Sequence, residues 1–137
     1  MNYYLIKSDP QTYSISDLKN DKQTIWDGVH NFQAINFIKD WKIGDKLFVY
    51  HSQGEAKIVG LAEVVSEAFK DPNDERNISW ASKIKFIKEF APETQISLTE
   101  IKKSDLFNDF LLVRNPRLSV IACPKDFVEW VAKKVQL

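Results

Sequence analysis

The segment Thr24–Asn36, TIWDGVHNFQAIN, places the indole of Trp26, the imidazole of His30 and the amides of Asn31, Gln33 and Asn36 around a single Gly28. Groups of this kind stack on flat rings and exchange hydrogen bonds along a ring edge, which is the chemistry of recognising a planar polar ligand. On a helical projection Gln33 and Asn36 are neighbours, beside the free N–H groups of the first helical turn. A second group of candidates ends the segment KLFVYHS, where Tyr50, His51 and Ser52 emerge from an apolar run. Each of these residues also has a plain structural use. Asn31 caps a helix, Gln33 and Asn36 are solvated, Trp26 is a core ring, and Tyr50 is a core tyrosine with one satisfied hydroxyl.

Covalent chemistry has less support. Cys123, His30, His51, Asp27 and Asp9 are possible nucleophiles or acid–base groups, but none has a supporting spacing. There is no GxSxG, no HxE with CxxC and no phosphate-loop glycine motif. Cys123, beside Pro124 at a strand-to-helix junction, reads as a buried structural thiol. A lone cysteine excludes an internal disulfide and a cysteine-based zinc site, so no metal and no cofactor are expected.

These residues need a scaffold, and punctuation along the chain outlines one. Tyr3–Lys7 reads as a first strand, and Ser14 with Asp17 as a capping box opening a short helix. Asn31 opens a helix over Phe32–Trp41 whose apolar face is Ala34, Phe37, Ile38 and Trp41, with Ile35 at its border. Gly44 ends that segment before the strand Lys46–His51, apolar on both faces and therefore interior, which pairs as a hairpin with the run from Ile58. Another strand begins around Trp80. From Ser82 to Phe90 it alternates in part and reads as a half-exposed outer strand. Ser97 and Glu100 suggest a second capping box, LSVIAC from Leu118 a last buried strand, and Pro124 the first turn of a closing helix bearing Phe127, Trp130 and Val131. Roughly five or six strands interrupted by short helices, without βα alternation, indicate an α+β domain with a curved, barrel-like sheet.

At 137 residues the chain is expected to form one domain, 1–137. Basic and acidic residues each total 19, giving a formal net charge of zero, so any contact with nucleic acid must be local. No signal-peptide pattern or apolar run of about 20 residues is present, which predicts an intracellular, cytoplasmic protein without membrane contact. Aromatic planes combined with amides and hydroxyls suit a splayed-out nucleobase, with stacking for affinity and edge bonds for identity. Two other classes remain open: an RNA- or nucleotide-processing enzyme, and a protein-interaction module using Phe32 and the closing helix with Trp130.

In order along the chain, LIKSDP (5–10), YSISDL (13–18), WDGVHNFQAIN (26–36), GDKLFVYHS (44–52), IVGLAEVV (58–65) and RLSV (117–120) resemble the EVE domain family. The resemblance implies a PUA-like fold, a mixed β-barrel flanked by short helices and related to YTH and ASCH domains. It also implies a non-catalytic module that binds a modified base, 5-methylcytosine and its oxidised forms in DNA or a modified base in RNA. The family positions fall on Lys7, Ser8, Trp26, Asn31, Gln33, Tyr50, His51, Ser52 and Trp80 for the base, and on Arg114 and Arg117 for phosphate. His30 stands where the family usually has Arg, exchanging a fixed charge for one that titrates near neutrality. The segment FKDPNDERNISW is shorter than the usual middle loop, and Ala122-Cys123 replaces a common Pro-Val. Any cutting is expected to come from a separate nuclease or other effector, and the protein itself is expected to be a monomer.

Overall fold

The computed structural model describes residues 1–137. Six strands form one continuous path in the order β2 (Gln23–Trp26), β6 (Trp80–Glu89), β4 (Lys57–Val64), β3 (Lys46–His51), β1 (Tyr3–Ser8) and β8 (Val120–Ala122). Two short strands join it: β5 (Phe69–Lys70) pairs with β6, and β7 (Ile96–Ser97) with β4. Only β1 and β3 run parallel. The long connection such a pair requires contains α1 (Ile15–Asp21), β2 and α2 (Phe32–Lys39). The path is open, with β2 and β8 at its ends, so the expected barrel-like sheet is not closed by hydrogen bonds.

Local chemistry accounts for most of the boundaries. Ser14 Oγ accepts from Asp17 N–H at 3.1 Å and Asp17 Oδ2 accepts from Ser14 N–H at 2.9 Å, the reciprocal bonds of a capping box. Asn31 Oδ1 accepts from Ala34 N–H at 3.0 Å and starts α2. That helix ends at Lys39, two residues short of the expected Trp41, yet Trp41 stays in the core at 3% exposure. Ala34, Ile35 and Ile38 are buried, while Phe37 is only half-buried, so the core stripe is turned slightly toward Ile35. β3 is buried from Leu47 to His51, as an interior strand between β1 and β4 must be. Ser97 caps α3 (Leu98–Lys103) by accepting from Glu100 N–H at 3.0 Å.

One strand differs from its sequence pattern. β6 starts at Trp80 and is not an outer strand: β2 pairs along one edge and β4 along the other. Its alternation records one solvent-facing side of the sheet and carries no information about its edges. β2 itself is four residues long, too short to announce itself by periodicity.

The closing helix α5 (Lys125–Val135) seals the opposite corner. Phe127 packs on Phe107 and Phe110 with ring centroids 5.1 and 4.5 Å away, and Trp130 lies 5.2 Å from Phe107. The exposed tip of α4 (Leu111–Arg114) leads from there into the turn Asn115–Arg117 and back to β8. No helix is long and apolar enough to cross a membrane.

Candidate base-binding cleft

The end of β1, the loop that follows it and the whole of β2 after Gln23 enclose a cleft of about 410 Å³. Lys7, Ser8, Tyr13, Trp26 and Asp27 carry its polar and aromatic groups, with Asp9, Thr12, Thr24 and Ile25 completing the wall. The parallel β1–β3 pairing places Lys7 and Ser8 against Tyr50 and His51, so the buried strand fixes the cleft floor. β2 hangs from β6, with Trp26 opposite Ser82.

Each polar group is partly committed, and the remainder defines what the cleft offers. Lys7 Nζ donates to Pro116 O at 2.8 Å and sits 5.6 Å from the Tyr50 ring centroid. An ammonium has three protons, so two remain for a ligand. Burial holds its pKa below the usual lysine value. Ser8 Oγ donates to the carbonyl of Tyr13, which leaves the hydroxyl oxygen as an acceptor. Tyr13 OH donates to Asp21 Oδ2 at 2.8 Å, and its ring meets Trp26 edge-on with centroids 6.4 Å apart. Asp27 supplies a carboxylate whose pKa is raised, first by burial and then by the charge of Asp71. The site combines an indole face, an ammonium donor and two oxygen acceptors, which suits a flat ring with a polar edge.

The turn carrying Asp27 and Gly28 is held by the loop after β5. Gly28 N–H donates to Asp71 Oδ2 at 3.1 Å, and Ser79 Oγ donates to Val29 O at 2.6 Å. Arg76 reaches His30 twice, with Nη2 3.1 Å from Nδ1 and Nη1 donating to the backbone carbonyl at 3.4 Å. Asp74 organises the loop itself, accepting from the N–H groups of Arg76, Ile78 and Ser79. Burial favours its neutral form, but those bonds, with the Arg76 guanidinium, prevail and lower its pKa to about 2.

Of the residues singled out from the sequence, Lys7, Ser8 and Trp26 meet in this cleft. Tyr50 lies beneath Lys7 at 4% exposure, with burial raising its hydroxyl pKa. His51, 5% exposed, accepts the Ile15 N–H on Nε2 at 3.0 Å and has Glu55 Oε1 3.4 Å from Nδ1. It therefore caps α1 and is bonded to neither Cys123 nor the cleft. Ser52 joins β1 through its backbone N–H, bonded to Ser8 O at 2.9 Å. Asn31 gives its Oδ1 to the cap and keeps its two amide N–H donors; Gln33 and His30 are exposed beside it. Trp80 is outside the cleft lining, with the Lys39 and Lys70 ammonium groups 5.5 and 5.6 Å from its centroid. Arg114 pairs with exposed Asp109 at 3.3 Å. Arg117, exposed, adjoins the Pro116 carbonyl that holds Lys7. Burial raises the Cys123 thiol far above its ordinary value, away from nucleophilic use.

Tyr13, Asp71, Ser79 and Arg76 were missed from the sequence. Tyr13 carries a weak signal, an aromatic in a polar loop just before a helix cap; the other three sit in the middle segment FKDPNDERNISW, where no spacing marks them.

The chain as a whole is similar to several known proteins. Mouse thymocyte nuclear protein 1 is 45% identical over 82 residues, which cover 51% of this chain and 36% of that protein, so the match spans little more than a third of the relative's length. The structure of Rpa0253 from Rhodopseudomonas palustris superposes with a TM-score of 0.89 at 30% identity, covering 99% of this chain and 94% of that one. Human THYN1 protein, solved in complex with 5-methylcytosine containing DNA, superposes with a TM-score of 0.85 at 27% identity, covering 98% of both chains. The EVE domain model matches residues 2–134, almost the whole length, and the chain belongs to the EVE domain family.

Proposed function

We propose that residues 1–137 act as one non-catalytic module that takes a modified base of a nucleic acid, of the 5-methylcytosine type, into the cleft beside Trp26. The observation that carries this reading is the cleft itself, which an indole, an ammonium donor and two oxygen acceptors line together, in a chain that matches a solved relative bound to 5-methylcytosine-containing DNA along 98% of its length. A cytosine edge presents an amino donor and carbonyl and ring-nitrogen acceptors. Asp27 and the Ser8 oxygen fit the former and Lys7 the latter. The methyl group adds little area, so discrimination rests on how closely Trp26 and Tyr13 wall the ring rather than on charge. Stacking supplies about 1–3 kcal/mol per base, enough to offset part of the cost of extrusion.

Of the groups best suited to catalysis by type, His51 accepts the Ile15 N–H and the Cys123 thiol has a raised pKa, which favours a reader over an enzyme. Cutting or other chemistry then belongs to a separate effector. The test is titration of the protein, at fixed salt, against matched single- and double-stranded DNA and RNA with and without modified cytosine or adenine. Tighter binding of one modified strand is the expected result and names the ligand. Equal affinity for all of them overturns the reading.

A further inference from the structure

Trp80 is flanked by two cations, Lys39 at the end of α2 and Lys70 in β5 directly across the ladder from it. Cation–π contact of this kind, worth about 0.5–1 kcal/mol at an exposed site, favours placing the ammonium groups over the ring. Lys39, Lys42 and Lys70 have no carboxylate within 4.0 Å, as is true of most of the lysines; what sets Lys39 and Lys70 apart is that they share one ring. Lys70 gives one bond to Asn77 O at 3.0 Å, and Lys39 gives none within the protein. Lys39 and Lys42 line a second cleft, of about 370 Å³, whose only acid is Glu67. In a chain with no net charge, two cations thus face Trp80, and one of them shares with Lys42 a cleft holding a single acid.

Its position is informative. On β6, Trp80 lies two residues from Ser82, the ladder partner of Trp26. Two residues of strand are about 7 Å, a short reach for a nucleotide chain whose base enters the cleft. We propose that Lys39, Lys42 and Lys70, two of them held against Trp80, form a phosphodiester contact for the strand that delivers its base to the Trp26 cleft. This rests on the reading that the cleft takes a base. Trp80 is then a positioning residue for lysines, its ring faces serving ammonium groups rather than the base.

The test compares the protein with a K39Q/K42Q/K70Q variant, in binding to single-stranded DNA with and without 5-methylcytosine over roughly 50–200 mM salt. Both affinities should fall by a similar factor, about tenfold or more, with the preference for the modified strand retained and the log–log salt slope reduced by about two. W80L, which removes the ring and no charge, should lower the slope by less. K102Q/K103Q, on the far helix α3, should change nothing. An unaltered slope in the triple variant, an equal loss in K102Q/K103Q, or polyglutamate of matched charge binding as tightly as DNA overturns the proposal. The nucleoside 5-methylcytidine, which has no phosphate, separates the two readings: the triple variant should bind it like the parent. If the parent ignores the nucleoside while the triple variant still loses salt slope, base recognition fails and the phosphate contact stands.

Discussion

Asp71 holds Gly28: the buried carboxylate, 4% exposed, accepts the glycine N–H at 3.1 Å across 43 residues of sequence. Gly28 has φ +70°, and the turn it makes swings the chain from β2, which forms the cleft wall, into the α2 cap. Asp71 also accepts Asn73 N–H at 2.9 Å, so one side chain fixes both the turn and the loop that grips it. Asp71→Ala leaves these donors unpaired and should cost about 1–3 kcal/mol in chemical denaturation. It should weaken ligand binding as well, by loosening the Asp27 end of the cleft.

The acid dependence of the same loop follows from Asp74. Its folded pKa of about 2 lies below the ordinary carboxyl value near 3.9. A depressed pKa contributes stability that is complete above the unfolded value and is lost as pH falls from about 4 toward 2. Asp74→Asn should therefore lower Tm at pH 7 and leave a smaller drop in Tm between pH 5 and pH 2.5 than the parent shows. An unchanged acid profile in the variant would show that Asp74 does not stabilise this loop.

Gly60, on β4, is flanked by Ile15 of α1 and Lys88 of β6. A Cβ there would lie 2.6 Å from Ile15 Cδ1 and 2.7 Å from the Lys88 carbonyl oxygen. The carbonyl is backbone and cannot turn aside, so Gly60→Ala should destabilise by about 1–3 kcal/mol. Because α1 follows directly on Tyr13, the ligand affinity should fall with it; calorimetry and titration on one sample check both.

How much of this was legible in the sequence depends on whether the signal is local. Ser14-x-x-Asp17 and Asn31 named their helix starts because a cap is satisfied within four residues, and KLFVYHS named an interior strand because both its faces are apolar. Trp26 stood out by its type beside the Gly28 turn, whereas Lys7 and Ser8 were named only through the family resemblance; the structure brings the three into one cleft. β2 escaped, since QTIW is too short to show a period, and with it went the interior position of β6. The roles of Asp71, Ser79 and Arg76 are set by partners 43 to 50 residues away, which no spacing rule reaches. His51 illustrates the converse. Its type suggested ligand contact, but its ring nitrogen meets an orphan helix N–H 36 residues back.

For that reason His51→Phe, which keeps an aromatic ring but removes the acceptor and adds volume, should cost at least about 1–3 kcal/mol from the unpaired Ile15 N–H. Nucleoside affinity measured well below the new midpoint should change little, since the imidazole does not enter the cleft. A large loss of affinity with intact folding would instead give His51 a ligand role.

The central claim is that the Trp26 indole meets the modified base. The chain has four tryptophans, so each indole N–H gives its own resonance to follow as DNA with or without 5-methylcytosine is added. The account predicts that Trp26 shifts at lower concentration, and further, with the methylated strand, while Trp80 responds alike to both because it reports phosphate contact. A Trp26 resonance that moves equally with both strands, or stays still while the methylated strand binds, would contradict it.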